Sequence, residues 1–323
     1  FTSLTGASGV TILSLGGLML PVLVKSRFPH GFSLGLVTAS GAIGLLFPPS
    51  LPVILYGVYS QTRIDNLFLG GLLPGLLLLL LVAAWSVWTG VVSQAERTPF
   101  RIGEAAAAIW QAKWELLLPV VVLVGIFGGF ATLVEASALT VLYAFVIECL
   151  VHRELHVRRD IPRVAVECVT LVGGVLLILG MALGFTNYLV DAQVPTRALE
   201  WVRTHIDSPL VFLLALNGFL LIVGCLLDIY SAILVVVPLI APMGVAFGID
   251  PVHLGVIFLA NLQLGYLTPP IGMNLFLTAY RFNVPMARVC RHAFPFLLIQ
   301  LGGVLVITYA PVITLGILRL AGR

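Results

Sequence analysis

Two blocks of small and oxygen-bearing residues interrupt a chain otherwise dominated by aliphatic side chains. The first offers Thr5, Gly6, Ser8 and Gly9, then Thr38, Ser40, Gly41, Gly44 and Ser50. The second offers Asp228, Tyr230 and Ser231, then Asn261, Gln263, Gly265, Thr268, Gly272 and Asn274. Hydroxyl, amide and backbone carbonyl oxygens are hard ligands, suited to Na⁺ and polar solutes rather than to transition metals. Each block contains a proline pair, Pro48-Pro49 and Pro269-Pro270, within a Gly-x-x-x-Pro-Pro motif. Proline removes a backbone donor and clashes with the preceding turn, so an ordinary helix cannot continue through such a pair. Carbonyls near Ile43 to Phe47 and Leu264 to Thr268 are therefore expected to lose their helical partners. In lipid that is costly unless the break lines a protein cavity. Unwound carbonyls that hold a cation, and half-helix N-termini that face an anion, are the chemistry such breaks can perform. For any one Ser, Thr or Gly of the group, plain helix packing and kinking remains the alternative.

Two acids belong with these candidates. Asp228 lies in apolar sequence, where a carboxylate costs about 2.5–3.5 kcal/mol on insertion scales and is usually functional or paired. Ion binding and capping of a helix tip are both open for it. Glu135, which closes the segment from Gly128, could bind an ion or bridge two helices, and bridging is the expectation.

The elements that position these residues must be membrane helices. The chain is 60% hydrophobic and 10% charged over 323 residues, with a mean hydropathy of +1.11, a balance that a water-soluble domain cannot cover. Uncharged runs from Leu67 to Val92, Leu210 to Leu227 and Phe294 to Leu318 reach or approach the roughly 20 residues that span a bilayer. The class is all-α, since a membrane barrel would show short alternating strands instead. Ile102 to Trp114 and the stretch around Leu199, Val202 and Ile206 mix apolar residues at helical spacing with charges, as surface helices do. The basic loop from His152 to Arg163 is expected to be cytoplasmic. His152 and His156 lie four apart, but H-R-E-L-H is not the H-E-x-x-H of a zinc protease. The net charge of +3 is scattered, without a run suited to nucleic acid. Cys149, Cys168, Cys225 and Cys290 are far apart and read as apolar packing groups. Gly-x-x-x-Gly pairs at Gly31/Gly35, Gly71/Gly75, Gly125/Gly129 and Gly180/Gly184 read as close helix contacts.

Sliding the chain on itself by 221 positions carries Pro21 onto Pro242, Gly44 onto Gly265, Leu46 onto Leu267, Pro48-Pro49 onto Pro269-Pro270 and Tyr59 onto Tyr280. The flanking charges invert. Lys25 and Arg27 precede the first broken helix, whereas the matching turn, Met243 to Val252, carries only Asp250; after the break the first copy has Arg63 beside Asp65, the second Arg281, Arg288 and Arg291. By the positive-inside rule the two copies lie upside down to one another, the inverted repeat of a secondary transporter. The organisation expected is one permease domain over 1–323. It comprises a first hairpin arm and broken helix (1–60), scaffold spans and interfacial arms (61–208), a second hairpin and broken helix (209–281) and a C-terminal span (282–323).

Thr5 through Gly9, Ala39 through Ser50, Gly129 through Glu135 and Asn261 through Phe276 resemble the large, DctM-like membrane subunit of tripartite ATP-independent periplasmic (TRAP) transporters. The likeness runs over nearly the whole chain. It implies a multi-pass protein of the bacterial inner membrane, with an elevator-like core of the ion-transporter-superfamily kind, built from two helical hairpins and two Pro-Pro-broken helices. It also implies Na⁺-driven import of an organic acid (a C4-dicarboxylate, a sialic acid or a similar carboxylate). A periplasmic binding protein would deliver the solute and a small membrane subunit would brace the scaffold. On this likeness Na⁺ is the coupling ion and no cofactor is needed. One ion site would gather around Ser8, Ser40 and Gly44, the other around Asp228, Gly265 and Thr268. Substrate would lie between the hairpin tips near Thr5, Gly6, Gly9, Ser50, Ser231, Asn261, Pro269, Pro270 and Asn274. Family chains begin earlier, which matches the start at Phe1 in the middle of an apolar stretch. The alternatives are a proton-coupled or related ion transporter without a binding protein, and a membrane-embedded hydrolase with Ser8 as nucleophile; Gly6-Ala-Ser8-Gly9-Val10 is not the G-x-S-x-G of that class.

Overall fold

The computed structural model describes residues 2, 6–96, 101–206 and 208–322, and all its regular elements are helical. Among the described residues fifteen α-helices follow in order: α1 (Ser8–Lys25), α2 (His30–Ile43), α3 (Leu51–Ser60), α4 (Ile64–Val92), α5 (Ile102–Gln111), α6 (Lys113–Phe127), α7 (Leu133–Val146), α8 (Asp160–Asp191), α9 (Val194–His205), α10 (Pro209–Leu226), α11 (Ile229–Ala246), α12 (Pro251–Gly265), α13 (Met273–Phe282), α14 (Met286–Tyr309) and α15 (Pro311–Leu320). Among the described residues, six helical segments are long and apolar enough to cross a bilayer, and eight if two bent pairs each count as one span. The protein is therefore a polytopic, all-helical membrane protein.

The chain divides into two units. One joins residues 1–96 with 184–323, and the other is 97–183. In the smaller unit α5 turns by 71° into α6. At that corner the Lys113 ammonium sits 4.1 Å from the centre of the Trp110 ring, an arrangement that suits a membrane interface. The Tyr143 hydroxyl donates to the Trp114 carbonyl at 2.8 Å and ties α7 to α6. Glu135 does not bridge helices. Its carboxylate accepts from the Thr132 amide at 2.7 Å and hydroxyl at 2.8 Å, closing a capping box on its own helix.

In the larger unit the 221-residue offset holds helix by helix. Shifted by it, α1 falls on α11, α2 on α12, α3 on α13 and α4 on α14, to within a residue or so at most ends. The packing is reciprocal: α1 packs on α13 of the other copy and α11 packs on α3, while α2 packs on α14 and α12 on α4. Contacts exchanged in this way are what a two-fold relation produces. Helix α12 lies at the centre with every residue from Val252 to Gly265 buried, His253, Asn261 and Gln263 among them. Gly31 and Gly35 pass against His292 and Phe296 of α14, and Gly71 and Gly75 against Leu46 and Phe47, so these two Gly pairs do mark close contacts. For the other two the described residues show none: a Cβ on Gly180, Gly184 or Gly129 would meet nothing among them within 4 Å, and on Gly125 only Ala131 at 3.8 Å. The apolar run from Phe294 to Leu318 also differs from expectation. It is split at Ala310, whose backbone (φ −117°, ψ 75°) is non-helical before Pro311, because the residue before proline is driven out of the α region.

Candidate functional site

At the first break α2 tightens into a 3₁₀ turn, Gly44–Leu46, before the cis Pro48-Pro49 bond, and α3 sets off at 45° to α2. At the second, Leu267 and Thr268 donate to the carbonyls of Leu264 and Gly265, each at 2.9 Å, before the cis Pro269-Pro270 bond. The Thr268 hydroxyl also donates to the Leu264 carbonyl at 3.1 Å. The run of freed carbonyls is thus shorter than expected, because three-residue hydrogen bonds rescue its first members.

Four helix N-termini come together beside these breaks. Gly6, with φ of 65°, accepts the Tyr230 hydroxyl at 2.8 Å, joining the approach to α1 with the first turn of α11. A Cβ on Gly6 would lie 3.2 Å from that of Leu51, the first residue of α3. Ser8 donates to Asn274 Oδ1 at 2.7 Å, joining the first turns of α1 and α13. Asn274 Nδ2 in turn donates to the Thr38 carbonyl at 3.2 Å, and the Thr38 and Thr278 hydroxyls are 3.1 Å apart. Ser8, Thr38, Asn274 and Thr278 are all within 1% of full burial. Helices α1, α3 and α13 have no side-chain cap. Their orphan amides and dipoles give these ends a positive character, and no Lys or Arg lies in the first turns of α1, α3, α11 or α13. The Ser50 hydroxyl, fully buried at the start of α3, has no hydrogen-bond partner among the described residues.

Asp228 is exposed and caps α11, accepting from the amides of Tyr230 and Ser231 at 3.0 and 3.2 Å and from the Ser231 hydroxyl at 2.5 Å. The Tyr266 hydroxyl accepts the Ile229 amide at 3.0 Å, which sets the second break, with Gly265 and Thr268, next to Asp228. Pro269 and Pro270 are exposed there. Gly9 is buried so tightly that a Cβ would stand 2.6 Å from Leu277. Thr5 lies outside the described residues. Ser40 is not turned towards Ser8: it is exposed, its hydroxyl 3.4 Å from the Val37 carbonyl, and with Gly44 it lines an open cavity of about 460 Å³ beside Thr2 and Phe47. The α2 residue that faces Ser8 is Gly41, where a Cβ would come within 3.3 Å of the Ser8 carbonyl.

Asn261 looks away from the tips, towards α10. It donates to Asn217 Oδ1 at 2.7 Å, and Thr308 donates to the same oxygen at 3.2 Å. Two residues further along α12, Gln263 and Gln300 carry the contact to the Ala39 carbonyl of α2 through long bonds of 3.4 and 3.5 Å. His253 joins Thr314 and the Thr308 carbonyl, both at 3.2 Å. Sequence reasoning passed over Asn217, Gln300 and Thr308. The signal was available, since a lone polar residue in an apolar span needs a partner.

Residues 1–313 match the family described as "Tripartite ATP-independent periplasmic transporter, DctM component". Among curated proteins the chain is 35% identical over 315 residues to the isethionate TRAP transporter permease protein DctMQ of Oleidesulfovibrio alaskensis, covering 97% of this chain and 49% of that one. It is 33% identical over 321 residues to the C4-dicarboxylate TRAP transporter large permease protein DctM of Pseudomonas aeruginosa, covering 98% and 74%. It is also 33% identical over 325 residues to the ectoine/5-hydroxyectoine TRAP transporter large permease protein UehC of Ruegeria pomeroyi, covering 99% and 75%. The chain thus spans about half of the first relative and about three quarters of the other two. With the paired breaks, the reciprocal repeat and a match over almost its whole length, the chain belongs to the DctM-component family of tripartite ATP-independent periplasmic transporters.

Proposed function

We propose that this chain forms the solute-handling core of a TRAP transporter's large subunit in a bacterial inner membrane. It imports an organic acid by Na⁺ symport, together with a small membrane subunit and a periplasmic binding protein. The observation that carries this reading is the meeting of four helix N-termini through Gly6, Ser8, Tyr230 and Asn274, three of them without side-chain caps, with the buried Ser50 hydroxyl at the start of α3 unpartnered among the described residues. Backbone amides at such ends bind anions through hydrogen bonds and dipole together. The solutes in the names of the three relatives, a C4-dicarboxylate, isethionate and ectoine, all carry an anionic oxygen group, which suits a pocket of that kind.

Na⁺ is assigned to the breaks: one ion beside Ser8, the Gly41 backbone and the first break at Gly44, with Ser40, which faces the open cavity, left out of it, and one beside Asp228, Gly265 and Thr268. Residues 61–208 then supply scaffold spans and arm helices, and the hairpins and broken helices within 1–60 and 209–281 form the moving core. A hydrolase is disfavoured because Ser8 donates to an amide oxygen, and an amide cannot take up the proton a nucleophile must shed. The test is uptake of a panel of labelled organic acids into liposomes holding the full-length permease and its small partner, with and without an inward Na⁺ gradient and a binding protein. Uptake that needs both supports the assignment and names the solute. Uptake indifferent to both moves the protein to another transporter class.

A further inference from the structure

An apolar groove of about 320 Å³ lies along the second hairpin, away from the tips and breaks. Its floor is one face of α10, made by Phe212, Ala215, Leu216 and Phe219, and the facing side of α11, made by Leu239, Ile240 and Met243; Trp201, Val202 and Ile206 cover its outer end. Every lining residue is apolar, so an ordered water would find no hydrogen-bond partners there. A solute with an anionic group is excluded for the same reason. The groove continues the lipid-facing surface. Leu210, Leu214 and Ile222, on the outward face of the same helix, are 57–61% exposed, and Trp201 is 63% exposed. Helix α9 puts Trp201 and Val202 into the groove lining and carries the exposed charges Arg197 and Glu200 in the turn before them, the mixture found in a helix lying in the membrane interface. Trp201 stacks on His205 at 4.5 Å between ring centres, setting an amphipathic ring at the groove's mouth.

We infer that this groove holds one acyl chain of a bilayer phospholipid, bound between the interfacial helix α9 and both arms of the second hairpin. The chain enters beside Trp201 and runs along the Phe212–Phe219 face. Because the occupant touches α9, α10 and α11 at once, it is a structural partner of the hairpin and not an exchanging annular lipid.

Trp201 is the reporter. In the full-length permease, with its other tryptophans replaced by Phe, a phospholipid brominated on its acyl chains is titrated into delipidated, detergent-solubilised protein and Trp201 fluorescence is followed. The reference is Leu214→Trp in a Trp201→Phe background, one position from Ala215 but facing outward. Trp201 is expected to be quenched in a saturable phase complete at a single lipid per chain, while the Leu214→Trp signal falls gradually without saturating. Ala215→Phe, which fills the groove, is expected to abolish the saturable phase and leave the reference unchanged. Ala215→Leu makes the same comparison if the larger side chain does not yield monodisperse protein. Quenching of Trp201 that tracks the reference, or that survives groove filling, overturns the inference. The proposal stands or falls independently of solute and ion, since neither is present in the titration.

Discussion

Gly265→Ala is a sharp perturbation, because all three of the nearest atoms in its way are backbone. A Cβ there would lie 2.4 Å from the carbonyl carbon of Gly224, 2.5 Å from its Cα and 2.8 Å from its oxygen. Comfortable carbon contacts begin at about 3.5 Å, so α10 must retreat by roughly 1 Å. That retreat would carry the Asn261–Asn217 bond, now 2.7 Å, out of hydrogen-bonding range. Overpacking costs about 1–3 kcal/mol, and loss of a buried amide pair adds about 1 kcal/mol. The sum, roughly 2–4 kcal/mol, should appear as a clear fall in the thermal midpoint of the purified permease in detergent, with reduced uptake at a fixed temperature. The reciprocal change is a control. At Gly224 a Cβ would meet Gly265 Cα at 3.1 Å and Leu262 Cα at 3.2 Å, so Gly224→Ala should be the milder of the two. A wild-type midpoint for Gly265→Ala, or a larger loss for Gly224→Ala, would refute the claim that this backbone contact sets the seat of α10.

Ser8→Ala and Asn274→Ala should each weaken half-saturation for the solute by about 5–30-fold, the equivalent of one to two kcal/mol. The double variant should be little worse than either single one, and additive losses would show that the 2.7 Å bond does not couple the tips. Thr268→Ala should raise the Na⁺ concentration for half-maximal uptake; an unchanged Na⁺ dependence would remove Thr268 from the ion site. Cysteines placed near Arg27 and near Asp250 should react with impermeant reagents from opposite faces of the membrane, whereas labelling from one face would contradict the inverted repeat.

The positions of both breaks were legible in the sequence because two proline pairs leave a helix no alternative, and the repeat followed because the pairs share one offset with Gly44/Gly265 and Pro21/Pro242. What escaped depended on rotation and on distant partners. Ser40 and Gly41 are neighbours in sequence, yet 100° apart around α2, and only packing against α1 decides that Gly41 faces Ser8. Asn217 is an unremarked amide in an apolar run until α12 supplies Asn261 opposite it. Glu135 was misread although its signal was local: Thr132-x-x-Glu135 is a capping-box spacing, and the structure uses it as one. Asp228 shows the converse, an acid whose two candidate roles the sequence could not separate and whose capping geometry the structure supplies.

The central claim, that an anionic solute and Na⁺ are held where the uncapped helix ends meet, is tested most directly at Ser50. Its hydroxyl is buried and has no partner among the described residues, so Ser50→Cys should fold normally in a cysteine-free, full-length permease. The measurement is the rate at which a small, charged thiol reagent modifies that cysteine, with Na⁺ alone, organic acid alone, both, or a neutral analogue with Na⁺. The account predicts strong protection by acid and Na⁺ together and none by the neutral analogue. Equal rates in all four conditions would contradict it.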